Sequence, residues 1–452
     1  MANRAAVILA AGQGTRMQSA LPKVLHPVGG RPMIDWSIAL AQSVGCDRIL
    51  VVCSPAGEAV QDHVVDLLGP SAVTIQDPPR GTGHAVLTAQ QALSDFEGEL
   101  VVLCGDVPLI ETETLEGLFA EVSAGATVGV LGFEAADPGA YGRLITDAVG
   151  NLEAIVEAKE ATPEQLAVSF CNSGVIAAPS KIMFDLLSKV TNDNIKGEYY
   201  LTDIVELARE AGGICRTVSC DEAQVMGINT RAQLANAEAA FQARTRSQVL
   251  ASGVTMTAPE TVYFSYDTEI ETDAVIEPNV VFAPGVTVKS GARIRAFSHL
   301  EGAVVGAESV IGPFVRLRPG AELESNVKIG NFVEVKNTKM GAGAQASHLS
   351  YLGDGEIGAG ANIGAGTIFC NYDGFLKHKT TVGKDAFIGS NSALVAPVTI
   401  GDGAFVGSGS VITKDVEANA LAVARGRQMQ KAGWATAFRD KMAEIKAARK
   451  KG

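Results

Sequence analysis

The chain carries little charge for its size and lacks the long apolar runs that a bilayer demands. Only 19% of its 452 residues are charged, and no stretch approaches the roughly 20 consecutive apolar residues of a membrane-spanning helix. Positive charge is not in excess either. The formal net charge of −13 argues against a nucleic-acid surface; it favours solubility and says nothing about fold. The seven cysteines include no Cys-x-x-Cys pair, and an odd count without framework spacing predicts reduced thiols and a cytosolic location. The six histidines show no metal-ligand clustering. Residues 1–11 lack the length and cationic start of a secretory leader.

What the chain does have is a period. From Ile270 to Glu417 an aliphatic residue returns at every sixth position. Ile270, Ile276, Phe282, Val288, Ile294 and Leu300 form one phase; Val305, Ile311, Leu317, Leu323, Ile329 and Val335 a second; Ile357 and Ile363 a third; Val382, Ile388, Leu394, Ile400, Val406 and Ile412 a fourth. Gly often follows, as in Ile329-Gly330 and Ile357-Gly358, and a small or apolar residue sits four positions on, as in Ala361, Ala386, Ser392, Val398 and Ala404. No α-helix or hairpin sheet needs a period of six. Three short strands joined by tight corners do, each turning one aliphatic onto a shared axis, which predicts a hexapeptide β-helix. Gly341–Glu356 and Phe369–Thr381 read as interruptions of the register, and loops that break a solenoid usually carry function.

The first ~230 residues read differently, as apolar strands alternating with helical patterns. Strands are expected over Ala5–Ala11, Arg48–Ser54, Ala72–Gln76, Leu100–Cys104 and Ala126–Phe133, and helices over Pro32–Val44, Glu58–Leu68, His84–Leu93 and Glu113–Val122. That alternation predicts a mostly parallel, doubly wound α/β sheet, with ligands past the carboxyl ends of its strands. Residues 231–252, with Leu234, Ala237, Ala240 and Phe241 at helical spacing, predict a linker helix of about 30 Å. The expected domains are therefore 1–230, the linker 231–252, and 253–452, the last ending in a Lys/Arg/Ala-rich helix.

Two places carry chemistry. After the first strand, Leu9-Ala10-Ala11-Gly12-Gln13-Gly14-Thr15-Arg16-Met17 forms a Gly turn whose backbone N–H groups suit phosphates. Position 17 is Met, so the third Gly of a dinucleotide fingerprint is missing, and no Gly-Lys-Ser/Thr follows. Arg16 and Lys23 beside the turn suit a triphosphate. Asp106, just past the apolar run Leu100–Cys104, stands where a strand-end metal ligand would. On the coils, Arg316 and Arg318 flank the axial Leu317 and point outward; with Lys336 they suit a phosphate. His348 lies in a register break, and a His near its free pKa of about 6.5 can take a proton from an attacking amine at neutral pH.

LAAGQGTRM with LPKVLH resembles the sugar-1-phosphate nucleotidyltransferases. Together with the hexapeptide half, essentially the whole chain is similar to the bacterial bifunctional N-acetylglucosamine-1-phosphate uridyltransferase/glucosamine-1-phosphate acetyltransferase family. The resemblance implies a left-handed β-helix, a homotrimer with acetyl-CoA sites between neighbouring barrels, and Mg²⁺. It places triphosphate contacts on Leu9, Ala10, Ala11, Gly12, Arg16 and Lys23, the last two catalytic. Uracil and ribose contacts fall on Gln76, Gly81 and Thr82, and the metal motif on Gly105-Asp106 with Asn229. Sugar contacts fall on Gly142, Glu157 and Asn172. In the second half it implies a proton acceptor at His348, oriented by Glu334, and sugar-phosphate contacts on Arg318, Lys336, Tyr351 and Asn362. Asn371 and Tyr372 are implied to serve the amino sugar or acetyl-CoA, and Ala365, Ser390, Ser408 and Arg425 the acetyl-CoA. Ser408, and Gly426-Arg427 after Arg425, depart from the family pattern. The reading is a cytoplasmic two-step enzyme of UDP-N-acetylglucosamine and cell-wall synthesis, acting on glucosamine-1-phosphate, N-acetylglucosamine-1-phosphate, UTP and acetyl-CoA, without nucleic acid or membrane insertion. The rivals are a single nucleotidyltransferase whose barrel is structural or regulatory, and a nicotinamide oxidoreductase resting on the first Gly turn alone.

Overall fold

A computed structural model describes residues 3–449. The chain divides into two compact units: 1–248 with 264–266, and 249–263 with 267–452. The terminal residues outside 3–449, including the end of the basic tail, lie outside the described part.

The first unit is built on one sheet. Its strands are β1 (Arg4–Leu9), β2 (Cys46–Cys53), β3 (Val73–Ile75), β4 (Glu99–Cys104), β5 (Val128–Glu134), β6 (Arg143–Thr146), β7 (Leu152–Val156), β8 (Phe170–Pro179) and β9 (Cys215–Cys220). The order across it is β9-β5-β8-β4-β1-β2-β3, with β6 and β7 a hairpin attached through β8. β8 runs antiparallel to both β5 and β4, while β1 pairs in parallel with β2 and β4. The strands lack polar alternation because both faces are covered. Ala6, Ile8, Val101, Leu103, Leu131 and Phe133 meet one apolar cluster. Their neighbours Ala5, Val7, Leu100, Val102, Val128 and Val130 meet another on the opposite face. Helices α1 (Met33–Ser43) and α4 (Thr112–Ser123) supply Ile34, Ile38, Leu115 and Phe119 to the first cluster. Between them in the chain run α2 (Glu58–Leu68) and α3 (Thr82–Leu87). α5 (Ser180–Leu187) and α6 (Ile204–Glu210) supply Met183, Leu187, Ile204 and Val205 to the second.

These bounds match the sequence expectation to within a few residues except at α3, which stops as an α-helix at Leu87 rather than Leu93. The β6–β9 part was not anticipated, because its strands carry Asn, Ser, Thr and Arg among the apolar residues and so show no clean period. Helix α7 (Arg231–Ala251) is polar nearly all round and buries only Ala237, Phe241 and Gln242. Phe241 lies against Gly29, where a Cβ would stand 2.5 Å from its ring, and edge-on to Trp36 at 5.6 Å.

The second unit is a β-helix of two- to seven-residue parallel strands on three sides. One side stacks Ile276, Ile294, Ile311, Ile329, Ala346, Ile363, Ile388 and Val406. The second stacks Val288, Val305, Leu323, Met340, Ile357, Val382 and Ile400. The third stacks Phe282, Leu300, Leu317, Val335, Leu352, Phe369, Leu394 and Ile412. Each of these is 4% exposed or less, which for a Val, Leu, Ile or Phe stabilises by roughly 1.5–3 kcal/mol. The Gly after the axial residue follows from coil spacing: a Cβ on Gly330 would sit 1.9 Å from the Ser347 carbonyl of the next coil, and one on Gly358 2.5 Å from Lys384 N.

One expected interruption is corrected. Gly341–Glu356 is no loop. Strands continue through it at Gln345–His348 and Tyr351–Ile357, with Ala346 and Leu352 axial and 0% exposed. The period merely shortens by one residue between Val335 and Met340 and between Leu352 and Ile357, where single strands wrap a corner. Phe369–Thr381 is a real insertion. Twenty-five positions separate the paired Ile363 and Ile388, against 17 between Ala346 and Ile363. The excess forms a small hairpin closed by a Tyr372–Lys377 bridge. Its turn is held by the Asp373 carboxylate, which accepts from Phe375 N and Leu376 N at 2.8 and 2.7 Å.

A final helix, α8 (Trp434–Arg449), buries none of its residues. No helix among the described residues is long and apolar enough to cross a membrane.

Candidate active sites

In the first unit the strand order reverses between β1 and β4, which puts the carboxyl ends of those two strands at the switch point where doubly wound sheets bind ligands. Leu9, Ala10, Ala11 and Gly12 lead off β1, and Gly105 and Asp106 lead off β4. Gly105 N donates to Leu9 O at 3.0 Å, and a Cβ on Gly105 would stand 3.2 Å from that oxygen, so the two loops run in contact. Lys23, on the short 3-10 turn Lys23–Leu25, reaches into this point. Its ammonium pairs with the Asp106 carboxylate and donates to the Asn229 amide oxygen at 3.1 Å. Arg16 donates to the same oxygen at 2.9 Å. Asn229 is delivered by the segment after β9, fixed where Ile228 N donates to Asp106 O at 3.0 Å. Four residues from three distant stretches of the chain thus form one cluster of two cations, a carboxylate and an amide.

The other predicted groups of this unit fall into two sets. Gln76, 5% exposed, donates to Gly81 O at 2.9 Å and meets His84 Nδ1 at 3.2 Å. Thr82 Oγ1 accepts from Leu201 N at 3.0 Å. Gly81 takes φ +108°, and a Cβ there would lie 2.5 Å from Tyr199 O, so only glycine fits. The sugar set is also joined: Asn172 N donates to Gly142 O at 2.8 Å, and a Cβ on Gly142 would stand 3.6 Å from Glu157 Oε1. Ser173 keeps its hydroxyl engaged on Leu131 O at 2.6 Å. Burial, helped by Glu160 and opposed by Lys196, raises the Glu157 carboxyl. Asp203 had no motif to mark it, yet burial, then Glu206, Glu160 and Glu157, push its carboxyl up to about 6.

In the β-helix the predicted residues separate into two groups. Arg318, Lys336 and Tyr351 lie along the third side. Arg318 donates to Glu334 at 2.8 Å. Asp354 accepts from Asn337 at 2.8 Å and from Asn371 at 2.5 Å, and Asn371 reaches the Tyr351 hydroxyl at 3.5 Å. Lys377 of the hairpin insertion joins this group, a residue the sequence reading passed over. Its ammonium, then burial and Arg318, push Lys336 down against the pull of Asp354. Burial opposes the fall of the Asp354 carboxyl, but Asn337, Asn371, Lys336 and Lys377 hold it below the ordinary range. Cations crowded this way favour an anion between them.

The second group stands on a corner. His348, Ala365, Ser390 and Ser408 each follow by two positions an axial residue of the first side, namely Ala346, Ile363, Ile388 and Val406. They form one rung per coil. Gly366 N donates to His348 O at 3.2 Å, Asn391 N to Ala365 O at 2.7 Å, and Gly409 N to Ser390 O at 2.8 Å. Arg425 donates to Ser408 O at 2.6 Å. Asn362 projects from the first side between Gln345 and Phe387, and the Tyr372 hydroxyl is turned onto Gly374 O at 2.6 Å. The expected Glu334–His348 pairing is not seen. Glu334 is engaged by Arg318, and His348 Nδ1 meets Asn331 Oδ1 at 2.8 Å. The reason is register: Glu334 stacks on Tyr351, whereas Asn331 stacks on His348.

Fold and site together define a nucleotidyltransferase domain followed by a hexapeptide transferase. The MobA-like NTP transferase domain model matches residues 6–167, and the bacterial transferase hexapeptide model matches 302–337 and 379–414. The chain is 63% identical over 446 residues to the bifunctional protein GlmU of Hyphomonas neptunium, covering 99% of this chain and 97% of that one. It is 58% identical over 436 residues to the GlmU protein of Caulobacter vibrioides (96% and 94%) and 53% identical over 436 to that of Maricaulis maris (96% of each). The chain belongs to the bifunctional GlmU family. It is a two-activity transferase of UDP-N-acetylglucosamine synthesis, a uridyltransferase and a glucosamine-1-phosphate acetyltransferase.

Proposed function

We propose that the two activities divide at residues 1–230 and 253–452, with the helix at 231–252 between them, and that they run in sequence. The β-helix acetylates glucosamine-1-phosphate with acetyl-CoA. The first domain then joins N-acetylglucosamine-1-phosphate to UTP and releases pyrophosphate. The observation that carries this reading is the convergence of Arg16, Lys23, Asp106 and Asn229 at the switch point.

In uridylyl transfer the sugar-phosphate oxygen attacks the α-phosphorus of UTP in line. A phosphate nucleophile needs no general base, so catalysis is positioning plus charge neutralisation. Arg16 and Lys23 neutralise the triphosphate; the Gly turn at Leu9–Gly12 offers it backbone N–H groups. Gln76, Gly81 and Thr82 hold the base and ribose; Gly142, Glu157 and Asn172 hold the sugar. Asp106 and Asn229 supply one carboxylate and one amide oxygen. That hard, oxygen-only set fits Mg²⁺, which keeps waters and takes its other ligands from phosphates. When bound, Mg²⁺ supplies charge neutralisation on the phosphate oxygens.

In acetyl transfer the amine nitrogen of the sugar attacks the thioester carbonyl. His348 Nε2 accepts the amine proton as the C–N bond forms, and the proton passes to the CoA sulfur as the C–S bond breaks. Arg318, Lys336 and Lys377 receive the sugar phosphate. The side bearing Arg318, Lys336 and Tyr351 and the corner bearing His348 and the acetyl-CoA residues Ala365, Ser390, Ser408 and Arg425 are two surfaces of one prism. A homotrimer, with Asn362, Asn371 and Tyr372 between neighbouring barrels, would complete the site. A cytoplasmic location fits the reduced thiols and the substrates.

The test is a pair of assays on wild type: Mg²⁺-dependent pyrophosphate release from UTP with N-acetylglucosamine-1-phosphate, and CoA thiol release with glucosamine-1-phosphate. Absence of thiol release would reduce the β-helix to a structural role.

A further inference from the structure

His348 is useful as a base only if one particular ring nitrogen is bare. A neutral imidazole carries its proton on one nitrogen, and the hydrogen bond made by the other decides which. In this chain Nδ1 lies 2.8 Å from Asn331 Oδ1. An amide oxygen accepts and cannot donate. The contact therefore selects the tautomer with the proton on Nδ1, donated to Asn331, and leaves the Nε2 lone pair free toward solvent.

The solenoid makes this pairing by construction. Asn331 and His348 are register partners in adjacent coils, each two positions beyond an axial residue, Ile329 and Ala346. Parallel strands lie roughly 4.8 Å apart, a gap that the short Asn side chain bridges along the corner. Both backbones are pinned there. Asn331 O accepts from Leu349 N at 3.1 Å, and His348 O accepts from Gly366 N at 3.2 Å and from Ser350 Oγ at 3.0 Å. The carboxylate of Glu334, three positions after Asn331, sits on another side and is held by Arg318 at 2.8 Å.

We propose that Asn331 is the positioning residue of acetyl transfer, fixing the tautomer and ring orientation of His348 through a neutral oxygen. The proposal rests on reading His348 as the base. A neutral partner has a consequence that a carboxylate would not. It orients the ring without adding the charge stabilisation that a carboxylate would give the imidazolium.

The test uses the full-length chain with Asn331→Leu, Asn331→Asp and His348→Asn. For Asn331→Leu, kcat for CoA release should fall about 10- to 100-fold, the scale of losing an orienting partner, with KM for both substrates within about twofold and pyrophosphate release unchanged. Asn331→Asp keeps size and acceptor, so most activity should remain while the acidic limb of the kcat/KM profile moves up by about one pH unit, because a carboxylate favours the imidazolium. Wild-type kcat in Asn331→Leu, or an unmoved acidic limb in Asn331→Asp, would overturn the proposal. If Asn331→Leu does not fold, the near-isosteric Asn331→Asp decides alone. Full CoA release from His348→Asn would instead remove the underlying reading of the base.

Discussion

The sites of the two units are assembled over different distances in sequence. In the doubly wound unit, Arg16 meets Asn229 across 213 positions and Lys23 meets Asp106 across 83. In the β-helix most comparable bonds span a single coil: 16 positions from Arg318 to Glu334, and 17 from Asn331 to His348, from Asn337 to Asp354, and from Asn371 to Asp354; only the insertion, through Lys377 beside Lys336, reaches farther. A sheet whose strand order reverses can bring remote loops to one point. A solenoid contacts only its neighbouring coils, so its functional residues form ladders along a side or a corner. The sheet therefore gathers its residues at a point, and the solenoid spreads its residues along a surface.

The sharpest way to break that contrast is to remove one residue from each site. His348→Ala should lower CoA release by about 10²- to 10⁴-fold, the usual contribution of general-base catalysis, and leave pyrophosphate release nearly intact. Asp106→Ala should give the reverse pattern. A variant that lost both activities together would show that the halves are not independent.

How far the sequence reveals each unit follows from the same contrast. The β-helix is legible almost residue by residue, because its local period is its fold: of the axial residues named from the period, all but Ile270 are buried. What the period concealed was small. Register slips at Val335/Met340 and Leu352/Ile357 looked like a loop because the count was five instead of six. Asn331 escaped notice because Asn on a corner rung reads as a turn residue until the coil above it is known. In the first unit the early strands declare themselves as apolar runs such as Leu100–Cys104. Strands Arg143–Thr146 and Phe170–Pro179 do not, since their neighbours in space and not their composition make them strands. Family motifs supplied Gly142, Glu157 and Asn172 where periodicity was silent. Lys377 and Asp203 were invisible by either route: one lies in an exposed insertion, and the other is notable only for the carboxylates folded around it.

Core truncation sharpens the comparison on the side of stability. Leu103→Ala in the sheet and Leu352→Ala in the β-helix each empty a site that is at most 1% exposed, and each should cost about 2–5 kcal/mol. The consequences should differ in reach. Leu103 sits in a cluster that joins the helices α1, α2 and α4 to the strands β1, β2, β4, β5 and β8, so its loss should lower that unit's unfolding temperature as a single transition. Leu352 touches a solenoid whose coils couple to their neighbours, so hydrogen exchange should rise most in the coils adjoining Tyr351–Ile357. Uniform loss of protection along the β-helix would contradict the ladder picture.

The smallest effect concerns a group that convergence has made uncomfortable. Asp203 is held among Glu206, Glu160 and Glu157, with its carboxyl pushed up to about 6 from 3.8 by burial and then by those charges. A raised carboxyl destabilises the fold only where it must ionise: the penalty is absent below pH 3.8, grows between there and about 6, and is complete above. Its side chain makes no capping bond at the start of the helix Ile204–Glu210, so Asp203→Asn removes the charge without removing a cap. With the partly exposed position discounted for solvent screening, the variant should gain about 1 kcal/mol at pH 8 and nothing at pH 4. Paired thermal melts at those two pH values measure the difference. An equal gain at both would assign the effect to packing, and a loss at pH 8 would mean that the ionised carboxylate has a partner which stabilises it.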